Sequence, residues 1–304
     1  MIEHHRLAAL RDDDRHGLEA LCLVAQAADG HAPLSDDLWH ELTGPPTAGA
    51  QIVLDRREGH IVGAAHVSHA PGHWQLEFVV HPRHRHAGVE RGLLERAAAE
   101  ISSDGGGEVV LWSHDPDDTT VAMIERLGFA PQRELLRMEC ALPLDAAPAW
   151  PDGISTRPFR PGDDDADWLA LNNLAFADHP EQGAWSQHTL DERMRQEWFD
   201  PGGFIVAEDD HGMAGSCWTK LHDDEQAGEI YVIGVHPDRQ GTGLGRALVV
   251  EGLSSIAERG MPTGILYVDA SNDAAVGLYE SLGFTTARTN RAFSADLDDS
   301  NDVS

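Results

Sequence analysis

Apolar positions along this chain recur with two periods. In the second half the runs "FIVAE" (204–208), "GSCWTKL" (215–221), "EIYVIGV" (229–235) and "GILYVD" (264–269) are short, rich in β-branched and aromatic residues, and bounded by Gly, Asp and Pro. Such runs predict strands. Residues 164–176, 187–198, 243–258 and 272–282 instead carry apolar side chains every three to four positions, which predicts helices with one buried face. A closing strand follows "GFT" (283–285). The succession of two helices, three strands, helix, strand, helix, strand predicts a mixed α/β (α+β) sheet with helices on its faces, not a β-sandwich.

The pattern occurs twice. "FVVHPRHRHAGVERGLL" (78–94) and "IGVHPDRQGTGLGRALV" (233–249) both read as an apolar strand, His-Pro, a polar glycine turn and an apolar-periodic helix. "IERLGFA" (124–130) and "YESLGFT" (279–285) match at the same spacing, so each half holds one copy of one fold. "ALPLDAAPAWPDG" (141–153) has neither period and reads as a linker. The expected division is a first domain at 1–142, a linker at 143–152 and a second domain at 153–304.

Composition narrows the partners. The 304 residues are 41% hydrophobic, enough for two cores, and carry a formal net charge of -30. Nucleic acid is not expected as a partner, because a polyphosphate backbone calls for extended basic patches that this charge balance does not offer. The runs "RDDDR" (11–15), "PGDDDAD" (161–167) and "ADLDDSNDVS" (295–304) read as solvated surface. Three widely spaced cysteines, Cys22, Cys140 and Cys217, form no zinc or redox motif. The N-terminus lacks an apolar leader core and no run approaches a membrane span, so a cytoplasmic setting without membrane contact is expected, and a monomer with it. His81, His84 and His86 read as polar residues at a helix entry, and no metal is expected.

"HPDRQGTGLGRAL" (236–248) carries the most chemistry. It follows a strand and opens a helix through Gly241, Gly243 and Gly245. Glycines allow close backbone approach, successive N–H groups converge, and the helix start adds partial positive charge, which together make an anion site. A dinucleotide fingerprint is the competitor, but that belongs to a first strand–helix unit with an acidic residue about 20 positions on. Here three strands precede the loop, and Asp269 does not meet that spacing.

"VHPDRQGTGLG" resembles the Q/R-x-x-G-x-G/A pyrophosphate loop of the GNAT acetyltransferases, and "NDAAVGLYESLGF" (272–284) resembles a later helix of that family. The repeat extends the likeness to a tandem GNAT protein. The resemblance implies acetyl-CoA as co-substrate, held by Ile233, Gly234 and Val235, by Gln240, Gly241, Thr242, Gly243, Leu244, Gly245 and Arg246, and by Asn272, Asp273, Ala274, Ala275, Val276 and Gly277. It further implies Tyr279 as proton donor to the leaving sulfur and Glu229, opening the strand before the loop, as general base. In the first copy Glu90 stands where the second has Gly245, Ile124 replaces Tyr279 and Trp74 replaces Glu229, so that copy is expected to be non-catalytic. Phe78, Val79 and Val80 still match the family's CoA-binding strand.

"ADGHAPLSD" (28–36), "NNLAFADHPEQGAW" (172–185), "EWFDPGGF" (197–204) and "WTKLH" (218–222) resemble tandem members of the family that acetylate the cysteinyl amine of a sugar–inositol acceptor. On that likeness Asp36, Glu181, Lys220, Glu229 and Tyr267 would contact the acceptor. Lys220 is the only lysine in the chain. Rival acceptors are a polyamine, an aminoglycoside or a protein N-terminus, and a rival class is a non-catalytic CoA-binding protein.

Overall fold

The computed structural model describes residues 1–35, 38–39, 41, 49–70, 72–177 and 183–297. Two compact units divide it, Met1–Leu135 with Thr289–Ser304, and Leu136–Arg288.

The first unit contains Ile2–Arg6 (β1), Asp12–Asp29 (α1), Gln51–Arg57 (β2), His60–Ala70 (β3), His73–Val80 (β4), Val89–Ser103 (α2), Gly107–Ser113 (β5) and Asp118–Arg126 (α3). Strands β1 to β4 pair antiparallel in chain order, and β4 pairs parallel with β5. One face packs on α2 through Leu93, Leu94, Ala97 and Ile101, and the other on α1 through Leu18, Leu21 and Ala25. These are the helical stripes the i, i+3, i+4 spacing calls for.

Ala130–Ala141 (β6) runs across the first cut between the units. The second unit then holds Ser155–Pro158 (β7), Asp165–Ala175 (α4), Gln187–Met194 (α5), Phe204–Asp209 (β8), Gly212–His222 (β9), Ala227–Val235 (β10), Leu244–Glu258 (α6), Thr263–Asp269 (β11) and Asp273–Ser281 (α7). Its strand order from β6 is β6-β11-β10-β9-β8-β7. Helix α6 covers one face with Leu244, Leu248, Leu253 and Ile256, and an aromatic cluster around Trp168, Phe204 and Trp218 covers the other. Helix α5 is shorter than the periodicity predicts. It ends at Met194, and Trp198 and Phe199 turn onto Trp218 with ring centroids 5.8 and 5.5 Å away.

Thr285–Leu297 (β12) is the repeat equivalent of β6, and both are shared out by the cuts. Residues Arg291–Leu297 pair antiparallel with β5, and Phe293 is fully buried in the first unit's core. Met138 and Cys140 of β6 are buried in the second unit's core. The sequence division at 143–152 therefore follows the order of the copies, whereas compactness assigns the end of each copy's last strand to the other unit. Long ladders with buried apolar residues outweigh chain order in that assignment.

Candidate active site

In the second unit β9 and β10 pair antiparallel with Lys220 opposite Glu229. Direct partners share a face, and so does the residue two positions on. The register thus sets Lys220, His222 and Glu229 on one side of the sheet. Glu229 is buried, and its Oε2 lies 2.7 Å from His222 Nε2. The Lys220 ammonium sits 5.2 Å from the centre of the Trp198 ring, within cation–π range. Glu229 is also the parallel partner of Ile265 on β11, which brings the exposed Tyr267 to the same face two positions on.

A bulge interrupts β10 between Ile230 and Val232. The extra residue, Tyr231, swings its ring against Trp198 and Trp218 at 5.0 and 5.5 Å. Pairing of β10 with β11 stops at Ile230, while pairing with β9 continues to Val235. Beyond the bulge, β10 thus has one edge unpaired toward β11. His236 N–H donates to Ala214 O on the β9 side at 2.9 Å. By strand alternation Gly234 N–H points the same way, and the N–H groups of Ile233 and Val235 face the open edge.

After β10 the His236 imidazole accepts from Asp238 N at 3.2 Å and caps a 3₁₀ turn, Pro237–Arg239. Gly241 (φ 74°) and Gly243 (φ 92°) adopt left-handed backbone. Gly243 leads into α6 without a side-chain cap, and no acidic residue occupies the first turn, so the first-turn N–H groups lack side-chain acceptors. Arg246 donates to Ser281 Oγ at 2.7 Å, tying the start of α6 to α7. Gly245 needs no special φ, and an added Cβ would meet only Val235 at an ordinary 3.6 Å. Gly277 lies inside α7, where glycine costs roughly 0.5–1 kcal/mol relative to alanine, yet a Cβ there would meet nothing within 4 Å. Neither glycine is required by packing or by backbone shape, which is the condition expected where a ligand passes close by.

Tyr279 is buried near Phe284, and burial, with a smaller effect of Cys217, pushes its phenol up to about 12. Asn272 has a structural role that the sequence reading did not foresee: its Oδ1 accepts from Ala275 N at 3.1 Å and caps α7. Asp273, Ala274, Ala275 and Val276 form the first turn of that helix. Asp36 and Glu181, expected at the acceptor, lie outside the described residues. Two other partners of this region were not singled out from the sequence. His222 is one, legible from the register once Lys220 is set opposite Glu229. Asn173 is the other; it donates to Trp185 O at 2.9 Å and accepts from Trp185 N at 3.0 Å.

The first unit repeats the loop and alters its chemistry. His81 accepts from Arg83 N at 3.2 Å as His236 does from Asp238 N, Gly88 has φ 83°, and His86 takes the left-handed place of Gly241 with φ 57°. β4 leaves β5 after Glu77, so Phe78, Val79 and Val80 line an open edge as their counterparts do. His81 N–H donates to Val62 O, so alternation turns the N–H groups of Phe78 and Val80 outward. A cavity of about 280 Å³ lies here. At the position of Gly245 stands Glu90, nearly fully buried, which accepts from His86 N at 2.8 Å. Arg85 is held by a two-point contact to Asp29 at 2.7 and 2.6 Å. Within β4, Glu77 accepts from Ser35 N, Ser35 Oγ and His114 Nε2 at 2.9, 2.7 and 3.1 Å. Burial alone would raise the Glu77 carboxyl, but these partners outweigh it and hold it below its ordinary range.

No described helix is long and apolar enough to cross a membrane. No group of three or more His, Cys, Asp or Glu suited to a metal ion occurs among the described residues.

The sequence profile of the acetyltransferase (GNAT) family matches residues 17–129 and 168–284, one match in each copy. The chain is 40% identical over 291 residues to the mycothiol acetyltransferase of Streptomyces coelicolor, covering 93% of this chain and 92% of that protein. A GCN5-related N-acetyltransferase from Sphaerobacter thermophilus superposes with a TM-score of 0.78 at 22% identity, over 98% of this chain and 96% of that one. A tandem GNAT protein from the clavulanic acid biosynthesis pathway gives 0.74 at 19% identity, over 99% and 100%.

Proposed function

The chain belongs to the GNAT acetyltransferase family, and from that premise we propose that it is a mycothiol acetyltransferase, moving the acetyl group of acetyl-CoA to the cysteinyl amine of desacetylmycothiol. The observation that carries this reading is the 40% identity to a mycothiol acetyltransferase along 93% of the chain. The face bearing Lys220, His222, Glu229 and Tyr267 supports it. A polyhydroxylated acceptor needs carboxylates and an ammonium to bond its hydroxyls, and its amine needs a carboxylate nearby.

Acetyl-CoA supplies the activated acyl group, and the second copy fits it. The uncapped start of α6 and the loop Gln240–Arg246 offer converging N–H groups to a pyrophosphate, with Gly245 leaving room for close approach. The open β10 edge offers Ile233 and Val235 N–H groups to an amide-bearing arm and to a carbonyl oxygen gaining negative charge. On the family resemblance Asn272, Asp273, Ala274, Ala275, Val276 and Gly277, the N-cap and first half of α7, would flank the same co-substrate.

In this mechanism Glu229 removes a proton from the acceptor amine, directly or through one water. An α-amino group has a pKa of about 7.7–8.0, so part of it is already neutral near pH 7 and a carboxylate base suffices. Tyr279, its phenol protonated well above neutral pH, donates to the departing sulfur. Lys220, Tyr267, Asp36 and Glu181 hold the sugar and inositol hydroxyls. Only the second copy works, because Glu90 fills the first copy's anion seat with a carboxylate and Phe78–Val80 line a cavity without the rest of the machinery. The same reading has the enzyme act as a cytoplasmic monomer.

The test is CoA release from acetyl-CoA with desacetylmycothiol, spermidine or free cysteine as acceptor. Turnover confined to the first supports the reading. Turnover with spermidine in its place would keep the transferase and remove the named acceptor.

A further inference from the structure

We propose that His222 is a positioning residue for the general base. It fixes one oxygen of Glu229 so that the other is presented to the acceptor amine. The inference rests on Glu229 being the base, and on four observations. The His222 Nε2 to Glu229 Oε2 separation is 2.7 Å, a short charge-assisted hydrogen bond. Both side chains are mostly shielded from solvent. The strand register dictates the meeting: His222 is two residues beyond Lys220, the direct partner of Glu229, and its own backbone partner is Ala227, whose small side chain leaves the diagonal open. His222 is also the last residue of β9, at the mouth of the short connection 223–226, so the contact ties the base to the rim of the site.

Chemistry decides the tautomer. An ionised carboxylate is acceptor-only, so a neutral imidazole facing it carries its hydrogen on Nε2 and donates. In that state Nε2 has no lone pair to receive a proton. His222 therefore aims and restrains Glu229 and does not relay its proton, which leaves from the other oxygen to water. A glutamate has three side-chain torsions, and an unrestrained carboxylate would sample rotamers that miss the amine. A misplacement of about 1 Å in a reacting group costs on the order of 10²-fold in rate.

Two variants and one spectroscopic measurement test this. His222→Gln keeps an N–H donor at similar reach, and His222→Phe keeps a ring without one. The expected result is kcat within about 3-fold of wild type for the glutamine variant and at least about 10-fold lower for the phenylalanine variant, with KM for acetyl-CoA unchanged in both. Equal rates in His222→Phe and wild type would overturn the proposal. Equal losses in both variants would do so too, since a purely structural ring would not be rescued by glutamine. In parallel, ¹⁵N NMR of labelled imidazoles identifies the His222 signal as the one missing in His222→Gln. It should be Nε2-protonated, and it should move in Glu229→Gln. An Nε2 without a proton, or a signal indifferent to Glu229→Gln, overturns the proposal whichever acceptor the enzyme uses. Absence of turnover with desacetylmycothiol in the wild type would instead remove the acceptor reading. The variant comparison then runs on the amine that is acetylated, and the NMR result stands either way.

Discussion

Lys220 and Glu229 are direct cross-strand partners, opposite charges on the same face of adjacent antiparallel strands. Neither is placed by a loop. An ammonium and a carboxylate on a rigid ladder keep a fixed spacing, which suits an acceptor carrying both hydroxyls and an amine. The Trp198 ring beside the ammonium limits how far Lys220 swings. Lys220→Met should therefore lower kcat/KM for the acceptor by about 10- to 100-fold, the loss of one hydrogen bond to a charged group, with acetyl-CoA binding unchanged. Steady-state kinetics with each substrate varied in turn checks this. An Arg at 220 should restore little, because a planar fork on a longer stem does not reproduce a compact ammonium.

The two His-Pro loops differ at the first turn of the helix they open, where the first copy has Glu90 and the second Gly245. Wild type should bind one CoA per chain by isothermal titration. Gly245→Glu, which writes the first copy's residue into the second, should abolish that binding through like-charge repulsion at the helix start. Glu90→Gly should open a second, weaker site, because the backbone shape at His86 and Gly88 is already that of Gly241 and Gly243. Two CoA molecules per wild-type chain would contradict the assignment of Glu90 as the occupant of the seat.

Tyr279→Phe removes a proton donor and little volume. The expected outcome is a fall in kcat of about 10²-fold with unchanged acetyl-CoA affinity. Since burial pushes the phenol up to about 12, the tyrosine stays protonated through the working range. The wild-type rate should accordingly show no alkaline loss attributable to Tyr279 below about pH 11.

Glu77 carries a stability prediction with a definite sign. Its carboxyl is held below the ordinary 4.5 by His114 and Ser35 against the opposing effect of burial. A depressed folded-state pKa contributes stability above the unfolded value, and that contribution is lost as pH falls below about 4.5 and on through the folded value. Glu77→Ala should destabilise the first unit by about 1–3 kcal/mol at neutral pH, the cost of leaving the buried partners of the carboxylate unsatisfied. It should also flatten the loss of stability in acid. Denaturant melts at pH 7 and pH 4 measure both.

Much of this architecture is legible in the chain. The repeated His-Pro-to-helix phrase and the apolar periods correctly predict two copies of a mixed α/β sheet and their helices. Glu90 against Gly245 is visible in the letters and has a structural consequence. Other features depend on long-range pairing, which local patterns do not encode. The bulge that turns out Tyr231 appears only against the β9 register, and so does the meeting of His222 with Glu229. The assignment of residues 289–297 to the first unit follows from their ladder with β5, whereas the proline-rich stretch near 150 suggests a linear division. Asn272 matches a family motif and also obeys a simpler rule, that of an N-cap.

The measurement that bears most directly on Glu229 as the base is the turnover of Glu229→Gln with acetyl-CoA and desacetylmycothiol, beside a thermal melt with CoA to verify folding and co-substrate binding. Loss of the base predicts a fall in kcat of at least about 10²-fold with the CoA-induced stabilisation intact. A variant that turns over within a few-fold of wild type would contradict the assignment of Glu229, and with it the site built around the β9–β10 register.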